Sequence, residues 1–136
     1  MADSQRKRIL IVDDDADMRK TVTTMLESLD FIVTAVGGAD AALALIENDR
    51  PDAILTDIHM AEGDGFELIN AVRERGLTVP IVAMSGGSGT LSETDHLEYA
   101  RKLGAAAIVD KPFRASHLAE VIDRAISGRG SLLRQT

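Results

Sequence analysis

Five short apolar runs alternate along the chain with five longer stretches in which apolar residues recur every three or four positions. The runs cover 9–12, 31–35, 53–56, 80–83 and 106–109. Ile9-Leu10-Ile11-Val12, Ala53-Ile54-Leu55 and Ile81-Val82-Ala83 are unbroken, the pattern of strands covered on both faces. The longer stretches cover 16–28, 39–48, 65–75, 92–103 and 115–126. Met18, Val22, Met25 and Leu26 keep helical spacing in the first of them, and Leu29 continues it just past the end. Phe66, Leu68, Ile69 and Val72 do so in the third, and Leu118, Val121, Ile122 and Ala125 in the last. The methionines read as core filler. Alternation of strand and helix predicts an α/β fold, a parallel sheet joined by right-handed crossovers. Gly37-Gly38, Pro51, Gly63, Gly76, Gly104 and Gly128 fall between elements, where chain-breaking residues belong. Pro80 opens a strand, where its missing N–H does least harm.

The polar residues that interrupt this pattern gather where strands end. Asp13-Asp14-Asp15 follow the first strand, Asp57 the third, Ser85 the fourth and Lys111 the fifth. In a parallel sheet these ends share one edge, and ligands of open α/β sheets bind outside that edge. Adjacent carboxylates repel, and burial raises the cost of charging them, so such a cluster calls for a cation. Mg²⁺ suits it, because that ion takes two or three carboxylates and keeps several waters. A Lys ammonium and a Ser hydroxyl beside the acids fit phosphoryl transfer, in which charge neutralisation dominates. A carboxylate can itself be the nucleophile. The plainer alternative for the first three acids is a favourable interaction with the start of the next helix, and it fits Asp15 best, as an N-cap.

Composition narrows the class. The chain has 136 residues and no cysteine, which predicts one domain without disulfides or thiolate metal sites. Aromatic residues make up 3%, so the core must be aliphatic. A net charge of −7 disfavours direct nucleic-acid binding, and Arg6-Lys7-Arg8 reads as the solvated start of the first strand. No apolar run approaches membrane-spanning length and no secretory leader is read, so a cytoplasmic location is expected and no membrane contact.

Taken together, Val12-Asp13-Asp14, Asp57, Met60 with Gly65, Ser85 and Lys111-Pro112-Phe113 resemble the receiver domain of two-component response regulators, over roughly residues 7–127. Residues 128–136 are left as a short C-terminal tail. The resemblance implies a flavodoxin-like doubly wound sheet of five parallel strands in the order 2-1-3-4-5 with five helices. It implies that Asp57 is the phosphoacceptor and that Asp13, Asp14, Asp57 and the main-chain carbonyl of His59 hold Mg²⁺. Lys111 would pair with the phosphoryl group or with Asp57, and Ser85 would be the switch hydroxyl. The Lys111–Pro112 peptide is commonly cis in the family. The donor would be a phosphohistidine on a sensor histidine kinase or a histidine phosphotransfer protein. Output would pass through the surface of the candidate helix 92–103, the fifth strand and the last helix to an unknown partner. The chain would be a monomer or weak dimer, catalysing its own phosphorylation and dephosphorylation rather than turning over a substrate.

The sequence departs from the family in three places. Ala61 follows Met60 where Pro is usual, and Ile108 stands where Tyr or Phe is frequent. The glycine-rich run 86–90 lengthens the stretch before Lys111 and lacks the Lys-Ser/Thr ending of a phosphate-binding loop, which leaves the reading of a mobile loop that orders on phosphorylation. Two other functions use similar folds. A dehalogenase-type phosphatase would make Asp13 the nucleophile and Asp15 the acid/base, but it needs a later acidic pair. A flavodoxin-like cofactor site needs N–H donors after the first strand, where three aspartates would repel a phosphate. A phosphate sink or a relay intermediate without output stays open within the receiver reading.

Overall fold

The computed structural model describes residues 6–58, 65–85, 102 and 104–128. Five strands form one parallel sheet: β1 (Arg8–Val12), β2 (Ile32–Val36), β3 (Ala53–Asp57), β4 (Ile81–Ser85) and β5 (Ala107–Asp110). Their order is β2-β1-β3-β4-β5, as expected. Four helices stand among the described residues, where five were expected: α1 (Ala16–Glu27), α2 (Ala39–Asn48), α3 (Gly65–Glu74) and α4 (Ala115–Ser127). The remaining candidate helix, 92–103, falls almost wholly outside the described residues, as do the glycine-rich run 86–90, Ala61 and His59.

Strand alternation divides the core into two layers. Ile9, Ile11, Leu55, Val82, Met84 and Val109 pack with Val22 and Leu26 of α1 and with Leu118, Val121 and Ile122 of α4. Leu10, Val12, Ile54 and Ile81 pack with Ala42 and Ile46 of α2 and Leu68, Ile69 and Val72 of α3. Each helix buries one stripe, so the unbroken apolar strands are covered on both faces. Burying one such Leu or Ile side chain stabilises the fold by about 1.5–3 kcal/mol.

Every strand shifts by a residue or two from expectation: β1 gains Arg8 at its start, β3 gains Asp57 at its end, and β4 opens at Ile81 rather than Pro80. β2 begins at Ile32 rather than Phe31. Phe31 is buried beneath the sheet, its N–H donating 3.1 Å to Leu26 O to close the turn from α1. β4 extends to Ser85, because Met84 and Ser85 are buried and continue the ladder with Val109 and Asp110 of β5. β5 correspondingly runs one residue further, to Asp110. Ser85 is thus the last residue of its strand, and Asp57 the last of β3.

Candidate functional site

The site forms at the carboxyl edge of the sheet. β1 and β3 are neighbours, with Val12 opposite Thr56, so Asp13 and Asp57 leave adjacent strands side by side. Asp13 is completely buried and Asp57 is 7% exposed, whereas Asp14 faces solvent. Ligand oxygens of all three lie within 4.8 Å of one another. All three donors are carboxylate oxygens, the hard ligands that Mg²⁺ takes, and two or three of them suffice for an ion that keeps several waters, so the set fits that ion.

Asp13 is tied at every polar atom. Its N–H donates 3.1 Å to Val36 O, and its Oδ1 accepts from the Asp15 N–H at 3.0 Å. Its Oδ2 faces Lys111 Nζ at 3.5 Å. Burial pushes the Asp13 carboxyl above its ordinary value, with the Asp57 charge adding to the rise. The Asp15 N–H and the Lys111 ammonium oppose that shift without cancelling it. Asp15 is the N-cap of α1, its Oδ1 accepting from the N–H groups of Asp17 at 2.9 Å and Met18 at 3.3 Å. Asp15 thus serves the helix, as expected.

Lys111 reaches both buried acids, with Nζ 3.5 Å from Asp13 Oδ2 and 3.4 Å from Asp57 Oδ2. These distances exceed the 2.7–2.9 Å of a tight charge-assisted bond. The ammonium sits between the carboxylates as a shared counter-charge. The Lys111 N–H donates 2.9 Å to Ser85 O, which fixes its main chain to the end of β4, and the Lys111–Pro112 peptide is cis. That bond also brings Ser85, 7% exposed, against the Lys111 main chain. The sheet edge therefore gathers Asp13, Asp14, Asp57, Ser85 and Lys111.

Gly65 belongs to the Met60–Gly65 motif, and the structure supplies the reason for a glycine there. Its N–H donates 3.1 Å to Ile58 O, and a Cβ there would lie 2.4 Å from Asp57 O. Ile108 is buried in a small cluster with Ile58, Ala83 and Ala105, and Phe66 packs against it. Two residues escaped the sequence reading. Arg19 donates from Nη1 to Asp13 O at 2.7 Å. Arg73 donates to Leu77 O, Val79 O and Gly104 O at 2.9, 3.0 and 2.8 Å, which ties α3 to the start of β4 and the approach to β5. Its guanidinium pKa is lowered by burial. The one available signal for Arg19 was a cation at a helix start, where the dipole opposes it.

A parallel sheet in this order, with a lysine held between two buried aspartates at its carboxyl edge, is the arrangement of an α/β domain of the receiver type. The profile of the response regulator receiver domain matches residues 9–123, and the chain belongs to that family. It is 46% identical over 79 residues to an uncharacterized 14.6 kDa protein of Leptolyngbya boryana, covering 57% of this chain and 60% of that one. It is 35% identical over 125 residues to the transcriptional regulatory protein PrrA of Mycobacterium tuberculosis, covering 91% of this chain and 52% of PrrA. The chain thus spans little more than half the length of these relatives. The crystal structure of the receiver domain of NtrX from Brucella abortus superposes with a TM-score of 0.78 at 30% identity, covering 88% of this chain and 98% of that one. No helix among the described residues is long and apolar enough to cross a membrane.

Proposed function

We propose that this receiver accepts a phosphoryl group on Asp57 from a phosphohistidine of a sensor histidine kinase or histidine phosphotransfer protein. The observation that carries the reading is the pair of buried aspartates, Asp13 and Asp57, sharing Lys111 at 3.5 and 3.4 Å beside the solvent-facing Asp14. A carboxylate oxygen of Asp57 attacks phosphorus, the N–P bond breaks, and the departing imidazole takes up a proton. Asp13, Asp14, Asp57 and the His59 carbonyl would hold Mg²⁺, which supplies charge neutralisation for the incoming phosphoryl oxygens. Lys111 turns from bridging two carboxylates to pairing with a phosphoryl oxygen. Ser85, at the end of β4, donates its hydroxyl to another.

The chemistry needs Asp57 partly open and Asp13 fixed, and their burial and bonding agree. The phosphatase alternative needs Asp15 as acid/base, and both N–H bonds that Asp15 accepts as N-cap speak against it. Output through the surface of 92–103, β5 and α4 to a partner is part of the same proposal. PrrA is a transcriptional regulatory protein, so a partner that acts on transcription is one form that output takes. A sink or relay intermediate would label without a partner.

The test is intact-protein mass spectrometry after treatment with a small acyl phosphate and Mg²⁺. One added phosphoryl group mapped to Asp57, and none on Asp57→Asn, is the expected result. Undiminished labelling of Asp57→Asn would reject the assignment, and label on Asp13 would favour the phosphatase.

A further inference from the structure

The geometry points to Arg19 as a positioning residue for the acid cluster. Arg19 lies in the first turns of α1, its main-chain N–H donating 3.0 Å to Asp15 O. Helical side chains lean toward the N-terminus of their helix. This one runs back over the β1–α1 junction until Nη1 donates to Asp13 O at 2.7 Å, the short range of a charge-assisted bond. The dipole of α1 opposes a cation at this end, and the bond to the Asp13 carbonyl holds it there.

The carbonyl it grips belongs to the planar peptide unit joining Asp13 to Asp14. Fixing that oxygen fixes the rotation of the unit. It thereby sets the direction in which the exposed Asp14 carboxylate leaves the strand relative to the buried Asp13 carboxylate. The remaining polar atoms of Asp13 are bound to Val36, Asp15 and Lys111, and none of those bonds restrains this peptide oxygen. The guanidinium also lies against the turn between β2 and α2, where a Cβ on Gly37 would stand 3.2 Å from Nη1. Gly37 leaves the room in which the clamp reaches its carbonyl.

This role rests on the reading of the acids as Mg²⁺ holders, and calorimetric titration of the full chain with Mg²⁺ separates the two. Removing Arg19 has opposed effects: lost orientation weakens Mg²⁺ binding, while lost positive charge nearby strengthens it. Positioning predicts that Arg19→Ala binds Mg²⁺ about tenfold more weakly, the low end for loss of an outer-shell partner. Arg19→Lys, which keeps the charge and a donor, is expected to fall between Ala and wild type. Arg19→Met keeps the apolar stem and carries the comparison if the Ala variant does not fold. Equal or tighter Mg²⁺ binding by Ala or Met, with wild type binding normally, overturns the role of Arg19 alone. Absence of Mg²⁺ binding by wild type overturns the metal reading itself.

Discussion

Gly65→Ala tests whether Asp57, the proposed phosphoacceptor, is held by backbone contact rather than by side-chain packing. Helix propensity alone predicts a gain, since Ala is favoured over Gly in a helix by up to about 1 kcal/mol. The structure predicts the reverse. The new Cβ would lie 2.4 Å from Asp57 O and 3.0 Å from Ile58 Cα, both backbone atoms. Reaching even a 3.0 Å contact with Asp57 O requires a shift of 3.0 − 2.4 = 0.6 Å. Neither atom is the end of a flexible side chain, so the start of α3 must move from β3 or Asp57 must move from its site. Overpacking of this kind costs about 1–3 kcal/mol. Set against a propensity gain of about 1 kcal/mol, a net loss of up to about 2 kcal/mol remains. For a domain of this size that is a fall in Tm of up to roughly 8 °C. Misplacement of about 1 Å costs on the order of a hundredfold in a positioned reaction, so the expected loss in phosphorylation rate is about tenfold or more. Circular dichroism melts and the rate of mass gain from an acyl phosphate measure the two effects. Gly38→Ala is the control, because nothing lies within 4 Å of its added Cβ. A Gly65→Ala protein that melts at or above wild type and labels at the same rate would refute the steric argument.

Burial holds the Asp13 carboxyl above its ordinary value of 3.8. Its favourable contribution to folding is therefore complete below about pH 3.8 and is lost as pH rises through the elevated folded value. At neutral pH the ionised group weighs against the metal-free fold. Asp13→Asn should raise the metal-free Tm at pH 7, reduce that advantage toward acid, and abolish the Mg²⁺ response; a lower Tm at pH 7 would contradict the sign. For wild type, Mg²⁺ at a hundred times its Kd should stabilise by about 2.7 kcal/mol, raising Tm by roughly 10 °C, and a Tm indifferent to Mg²⁺ would count against the site. Arg73→Ala should cost about 2–3 kcal/mol in denaturant melts, because three main-chain carbonyls lose their shared donor. Arg73→Lys should recover little of it, since an ammonium lacks the fork that reaches all three.

What the sequence could and could not announce follows from how each residue does its work. Apolar runs and helical spacing are local patterns, and they located all five strands and the four described helices to within a residue or two. The acids, Ser85 and Lys111 were legible because each sits at the end of such a run, and a parallel sheet brings those ends together. The errors lie where burial depends on tertiary neighbours. Phe31 is apolar and buried, yet it plugs the turn below β2 rather than joining the ladder. Met84 and Ser85 extend β4 because β5 pairs with them, a fact of register that no local pattern contains. Gly65 and Arg19 act through main-chain oxygens, of Asp57 and Asp13, at distances that only the folded chain defines. A carbonyl leaves no trace in the identity of the residue that bears it. The chemistry of this site is therefore readable from its side chains, while its aim is set by contacts to backbone: Gly65 against Asp57, Arg19 on the Asp13–Asp14 peptide, and Ser85 O on the N–H of Lys111. Substitutions at Gly65 and Arg19 should accordingly impair phosphoryl transfer although they remove neither an acid nor the lysine.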